Sequence, residues 1–227
     1  MSLRLGETKI KGVNLPSFDF IKAFFDAGGK CSRSTATSFD GVIPFTATSD
    51  VTDMFSMFRD CSNLTSIPLF DTSKVTNMGS MFYYCSSLTS VPLLDTSNVT
   101  IMTYMFSGCS SLTSVPLFNT SNVTEMDFMF DDCSSLTSIP SFDISKVTSM
   151  SFIFDGCSSL ETIHMINIGV NLDISSSTKF TREALLEIIG NLKTVTSTKK
   201  LTMGATNLAK LTEEDKAIAT NKGWTLA

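Results

Sequence analysis

The residues best suited to chemistry in this chain are five cysteines that share one position of a repeated sequence. They are spaced 24 residues apart, at Cys61, Cys85, Cys109, Cys133 and Cys157. Side chains stacked in register would lie parallel and about 4.8 Å apart. A disulfide instead needs Cβ atoms about 3.8 Å apart and a twisted approach. We therefore expect buried free thiols that fill an inner column rather than disulfide bridges.

The chain contains a single histidine, His164, which excludes any site that needs two imidazoles. A lone imidazole beside an apolar strand is more often structural than a general base. The many serines and threonines are repeat positions with no lysine or histidine at matching spacing, so no activated nucleophile is evident. The sequence also lacks a Walker loop, a Gly-x-Gly-x-x-Gly motif and a Cys-x-x-Cys pair. We predict no enzyme, no catalytic residue and no cofactor.

A column of methionines could bind a soft metal or fill a core. Nine of the 12 methionines fall on two repeat positions, where Ile153 takes the tenth place. The exchange of methionine for isoleucine keeps the volume but loses the sulfur. This pattern favours core packing over copper binding.

A column of acidic residues could bind calcium or cap helices. Its members are Asp71, Asp95, Asn119 and Asp143. Stacked carboxylates about 5 Å apart would repel one another without a cation. Asn119 keeps a capping oxygen without the charge, which favours helix capping over a calcium ladder. The sequence therefore predicts no metal site.

The first half of each repeat predicts a short strand. Leu64, Ile67 and Leu69 follow the Leu-x-x-Ile-x-Leu pattern of a leucine-rich repeat, and the same frame recurs in the next two units. If these residues point inward, the residues between them point outward. Whether Leu69 or Phe70 faces the core stays open at this stage.

The second half of each repeat predicts a short helix. Asp71 begins a polar corner, and Val75, Met78, Met81 and Phe82 follow at the spacing of an inner helical stripe. Such a helix is too short to be stable alone. A strict period in this range is typical of a solenoid, in which stacking of neighbouring units supplies the stability.

Prolines limit how wide the sheet can be. Five of the six share one repeat position, at Pro44, Pro68, Pro92, Pro116 and Pro140. Each removes a backbone donor, so we expect a narrow parallel sheet. His164 takes this position in the next register, which restores the donor. We therefore expect a longer strand over 160–168 that leads into a C-terminal cap.

The repeats predict one domain with two caps, because a solenoid exposes an apolar cross-section at each end. Residues 1–30 form a predicted N-terminal cap of a short strand and a helix. Residues 31–168 hold the repeats, the first with an insertion after Cys31. Residues 169–227 form a predicted helix-strand-helix cap, with helices starting at Thr181 and Thr212 and a strand over 200–203.

Charge and hydropathy exclude two classes of partner. The net charge of −5 and the isoelectric point near 4.9 give no basic footprint for nucleic acid. No run of 18 apolar residues predicts a transmembrane segment, and the N-terminus lacks the pattern of a signal peptide. We expect a soluble chain without an export signal.

The repeat consensus Cys-Ser-Ser-Leu-Thr-Ser-Val-Pro-Leu-(Phe/Leu)-Asp-Thr-Ser-Asn-Val-Thr-x-Met-x-x-Met-Phe resembles the BspA-like leucine-rich repeats of bacterial surface proteins and mycoplasma lipoproteins. The match spans 42–163. The resemblance implies an α/β, right-handed, curved leucine-rich-repeat solenoid that acts in adhesion or protein recognition at the cell surface or after secretion. Residues 5–13 also resemble the start of some phage tail-associated proteins, which would place the chain in a virion; a cytoplasmic location is a further alternative.

Two functional hypotheses follow. The first is a recognition module that binds a protein or a glycan through the outward residues of the strand half. These are Ser66, Pro68, Ser90, Pro92, Ser114, Pro116, Ser138, Pro140 and His164. The second is a structural spacer or phage tail component without ligand specificity. The sequence leaves the ligand and the oligomeric state open, and a catalytic site would require a cleft near His164.

Overall fold

The computed structural model describes residues 51–67 and 69–227. The predicted N-terminal cap, the insertion after Cys31, Pro44 and Pro68 lie outside these residues. The boundaries of the three predicted regions stay predictions.

Successive 24-residue coils are joined by the same backbone contacts. Single parallel bridges connect one position through five coils, namely Asp53, Asn77, Ile101, Glu125 and Ser149. Beside this position, the backbone N–H of Thr76 donates to the carbonyl of Thr52 at 2.8 Å, and its hydroxyl donates to the same oxygen at 3.1 Å. The same threonine pairing recurs from Thr100 to Thr148. The parallel pairing is narrow, as predicted, but these bridges lie in the second half of each coil, outside the Leu-Thr-Ser-Ile segment to which the sequence confined it.

Two short strands mark the end of the repeats. Strand β1, Ser138–Ile139, pairs in parallel with β2, Thr162–Ile163. The backbone N–H of His164 donates to the carbonyl of Ile139 at 3.0 Å, so the donor lost at the proline position is regained as predicted. The expected long strand is wrong. Ile166 pairs with Asp143 and Ile168 pairs with Leu192, so the segment divides into short pairings with different partners.

The predicted short helix of each repeat is replaced by two consecutive turns. Met57 donates its backbone N–H to Met54, three residues earlier, whereas Ser56 donates to Gly79 of the next coil. Ser56 and Asp60 have positive φ angles of 58° and 62°, which an α-helix does not accommodate. The two turns place inward-facing residues at the same spacing as a short helix would. The sequence pattern therefore could not separate the two structures.

The interior consists of stacked columns of identical or similar side chains. The central column is a stack of phenylalanine rings whose centroids lie 5.4–5.9 Å apart. Its members are Phe58, Phe82, Phe106, Phe130 and Phe154. Phe58 also meets Phe70 at 6.3 Å, so the turn segment and the strand segment of a coil face each other across the core. The methionine columns are buried beside this stack, which confirms their packing role.

The C-terminal segment holds three helices and a second parallel sheet. Strands β3 (Leu172–Asp173), β4 (Lys199–Thr202) and β5 (Trp224–Leu226) lie side by side in that order. Along the chain, helix α1 (Arg182–Gly190) lies between β3 and β4, and helices α2 (Gly204–Leu208) and α3 (Glu213–Asn221) both lie between β4 and β5. The sequence predicted α1, β4 and α3. It missed β3, α2 and β5.

Both predicted helix starts are confirmed by their caps. The hydroxyl of Thr181 accepts from the backbone N–H of Ala184, and Thr212 forms a capping box with Asp215. Asp215 also accepts two hydrogen bonds from Arg182, at 2.8 and 2.7 Å, which join α3 to the start of α1. These bonds lower the pKa of Asp215. In the described part of the chain, no helix has the length and apolarity needed to cross a membrane.

Candidate binding surface

The predicted serine and proline positions lie together on one surface, which we call the strand side. It consists of the outward side chains of residues 65–67 and 69 and of the equivalent residues in later coils. Ser90 and Ser114 are exposed. The other described members are half-buried, namely Ser66, Pro92, Pro116, Ser138, Pro140 and His164. Pro68 lies outside the described residues.

Neighbouring threonine and serine hydroxyls on the strand side have different roles. The Thr89 hydroxyl donates to the carbonyl of Thr65, and that of Thr137 donates to Thr113, so these threonines join adjacent coils. The Ser90 and Ser114 hydroxyls make no hydrogen bond within residues 51–67 and 69–227. A rigid backbone therefore presents serine hydroxyls that are available to a partner.

The strand side also carries a column of exposed leucines that the sequence analysis missed. Leu69, Leu93 and Leu117 are 66%, 60% and 58% exposed. The sequence left open whether Leu69 or Phe70 faces the core, and in the structure Phe70 is buried and Leu69 is exposed. The inward position belongs to the next residue along the chain, at Phe70, Leu94, Phe118 and Phe142.

A turn after Pro116 and another after Pro140 explain this shift in their two coils. The backbone N–H of Phe118 donates to the carbonyl of Pro116 at 2.9 Å, and Phe142 donates to Pro140 at 2.7 Å. The tight turn breaks the alternation of a strand by one residue. Leu117, between Pro116 and Phe118, consequently points to solvent beside the serine column. An exposed apolar column of this kind is typical of a surface that contacts a partner.

His164 connects the last coil to the C-terminal segment. Its Nδ1 lies 2.7 Å from the Glu187 Oε1 of helix α1, and both side chains are 43% exposed. The contact gives the imidazole a structural partner, as expected for a lone histidine.

The cysteine column has no accessible nucleophile. All five thiols are buried and free, as predicted. Each thiol after the first donates to a phenylalanine carbonyl of the preceding coil, for example Cys109 to Phe82 at 3.1 Å. Burial raises the pKa of Cys109 and Cys133 strongly, and that of Cys157 to about 12. Thiols held in this neutral form are inert.

The acidic column caps turns rather than helices. Asp71 accepts from the backbone N–H of Ser73 at 2.9 Å, and Asn119 accepts from Ser121 at 3.1 Å. The Ser73 hydroxyl and amide lower the pKa of Asp71. The predicted capping role is thus correct, but these side chains cap turns, and the prediction that they cap helices is wrong. Within the described ranges, no group of three or more potential ligands could hold a metal ion.

The stacked coils, the inward leucine column and the parallel pairing together define a leucine-rich repeat protein. A solved structure supports this class. The chain is similar to the crystal structure of the T. pallidum leucine-rich repeat protein (TpLRR), with a TM-score of 0.53 and 16% sequence identity. The match covers 78% of this chain and 79% of the T. pallidum chain. At this identity the likeness concerns the fold alone.

The family is shown by the sequence itself. The family described as "Mycoplasma protein of unknown function, DUF285" matches residues 33–114 and 89–183, which together make up more than half of the chain. The chain belongs to this family, and its repeats are of the BspA-like leucine-rich type. Neither comparison indicates a catalytic family. No curated protein gives a significant match.

Proposed function

We propose that this chain is a non-catalytic recognition module of a bacterial surface or secreted protein. It binds a protein or glycan partner through the strand side of a right-handed, curved solenoid. The observation that carries the proposal is the exposed column of Leu69, Leu93 and Leu117 beside the free hydroxyls of Ser90 and Ser114.

The composition of the strand side favours a protein partner over a glycan. Three leucines that are more than half exposed lie one coil apart and form an apolar strip. Association with another protein would remove this area from water, and apolar burial is the main driving force of such association. The backbone that holds the strip is fixed by the bonds between coils, so little ordering cost accompanies binding.

The test uses the binding of the fluorescently labelled chain to mammalian cells. The double variant Ser90→Arg/Ser114→Arg places two long cations on the strand side. We expect it to abolish binding with an unchanged melting temperature. Ser158→Arg, at an exposed corner away from this face, is the matched control and should bind normally. Normal binding by the double variant would refute the proposal.

Pretreatment of the cells identifies the kind of partner. Loss of binding after protease treatment indicates a protein, whereas loss after glycosidase treatment indicates a glycan. A structural spacer is the second candidate, favoured by the recurrence of the same bonds between coils. A spacer predicts that deletion of residues 109–132, one full repeat, leaves the activity of the whole protein intact.

A further inference from the structure

A second surface lies across the core from the strand side and carries stacked aromatic rings. We call it the turn side, and it consists of the outward side chains of residues 55–60 and of the equivalent residues in later coils. Tyr104 stacks on Phe128 at 4.5 Å and 5°, and Phe128 stacks on Phe152 at 5.0 Å and 17°. We call these three rings the aromatic ladder. Phe152 is 57% exposed.

The ladder is not required by the repeat. The two preceding coils have Ser56 and Ser80 at the same position, and all five residues of this column have φ between 54° and 58°. A bulky residue in the left-handed region is unfavourable relative to glycine or asparagine. Serine at this position has the same unfavourable backbone conformation but exposes no ring. The repeat therefore does not require an aromatic residue at these three consecutive coils. An exposed apolar surface obtained in this way indicates a contact function.

The rings of the turn side already hold one cation. The guanidinium of Arg59 lies 4.4 Å from the centroid of Tyr83, and Tyr83 makes an edge contact with Tyr104 at 6.0 Å. At the other end, Phe128 covers one face of Phe152. Within the described residues no ring covers its other face. A ring face of this kind attracts a guanidinium or ammonium group.

Aspartates belong to the same turn segments as the last two rings of the ladder. Asp155 shares a turn with Phe152, since its backbone N–H donates to the Phe152 carbonyl at 3.3 Å. Asp131 and Asp132 belong to the turn segment of Phe128. Asp131 accepts a hydrogen bond from the Ser107 hydroxyl at 3.0 Å, and Asp155 accepts one from the Ser176 hydroxyl at 2.8 Å. Burial, and then the negative charges of Asp132 and Asp155, raise the pKa of Asp131. The ladder thus ends in a region of negative potential.

The geometry points to a docking surface for an arginine- or lysine-rich, extended segment of a partner protein. The cationic side chains of that segment lie on the free face of Phe152 and along the ring edges. Asp131, Asp132 and Asp155 supply the opposite charge. Ring faces and carboxylates together select a cation, whereas a neutral apolar partner would desolvate the carboxylates without supplying an opposite charge. This surface is separate from the strand side, so either proposal can fail alone.

The experiment measures binding of two short synthetic peptides to the full chain by isothermal titration calorimetry. One peptide alternates arginine with serine, and the other alternates glutamate with serine. We expect the arginine peptide to bind and its affinity to fall as ionic strength rises. We expect no binding of the glutamate peptide. Equal affinity for the two peptides would overturn the proposal.

The double variant Phe128→Ser/Phe152→Ser tests the ladder with a residue that the repeat already uses at this position. We expect it to weaken binding of the arginine peptide about tenfold. Asp132→Asn/Asp155→Asn should weaken it to a similar extent and reduce its salt dependence. Ile218→Ser, at an exposed apolar residue of helix α3 outside both proposed surfaces, is the matched control and should bind normally. Unchanged affinity of both double variants refutes the proposal.

Sedimentation of the same proteins tests a second copy of the chain as the alternative occupant. If the ladder joins two copies, the wild-type chain is a dimer and Phe128→Ser/Phe152→Ser is a monomer. That result would replace the peptide-binding proposal. An unchanged sedimentation coefficient, together with the loss of peptide binding, supports it.

Discussion

The phenylalanine stack makes the stability of the repeats depend on its central ring. Phe106 is fully buried and stacks on Phe82 and Phe130 with centroids 5.4 and 5.8 Å away. Truncation of a buried phenylalanine to alanine costs about 3–5 kcal/mol. Phe118, 6.2 Å away, makes a third aromatic contact, and three contacts of about 0.5–1.5 kcal/mol each beyond area burial place Phe106→Ala near the upper end. Phe106→Leu keeps most of the apolar volume and should lose the aromatic part alone, about 1.5–4.5 kcal/mol.

Urea unfolding followed by circular dichroism measures these changes, with Leu117→Ala as the control. Leu117 is 58% exposed, so its truncation should cost less than about 0.5 kcal/mol. Amide hydrogen exchange gives a second readout. In Phe106→Ala, we expect faster exchange in the coils that contact Phe106 than in helix α1, because coils interact with their nearest neighbours. Equal losses for Phe106→Ala and Leu117→Ala would refute the stacked core.

Two further predictions concern the turns and the thiols. Gly156 has a φ of 69°, and an added Cβ would lie 3.0 Å from the Asp132 Cα, so Gly156→Ala should destabilise the chain by at least about 1–2 kcal/mol in urea unfolding. Gly190→Ala, where a Cβ meets nothing within 4 Å, is the control and should not destabilise. In a Cys31→Ser background, a thiol reagent at neutral pH should react after unfolding and not before it; rapid reaction of the native chain would contradict the buried column. Burial raises the pKa of Cys157 to about 12, so this thiol contributes its full stabilisation below the pKa of an unfolded cysteine, about 8.5. Above that pH, the free energy of unfolding should fall by up to about 1.4 kcal/mol per pH unit because of this thiol.

The sequence predicted features that depend on one residue type repeated at a fixed interval. The inner thiol column, the narrow pairing and the regained donor at His164 all follow from the 24-residue period and from the chemistry of cysteine and proline. Thr181 and Thr212 identified their helices because N-caps have a local signature. The strand-side binding surface itself stays a prediction.

The features that were missed depend on backbone angles that side chains do not reveal. Two turns and a short helix place inward residues at the same spacing, and Ser56 adopts a positive φ without the glycine that would have indicated it. The outward position of Leu117 depends on the turn between Pro116 and Phe118. The aromatic ladder could have been found, because Tyr104, Phe128 and Phe152 share one column of the repeat.

The bonds between coils give the molecule a direction-dependent mechanical strength. The hydrogen bonds from Thr76 to Thr52 and from Met54 to Asn77 run along the stack, and each pair of coils is joined by its own set. A force that separates the two ends along the stack would act on all these sets in series, and the weakest set would open first, so coils would detach singly. Each released coil of 24 residues supplies about 80 Å of extended chain. Attached at both ends, the repeats would behave as an extensible tether that lengthens in uniform steps.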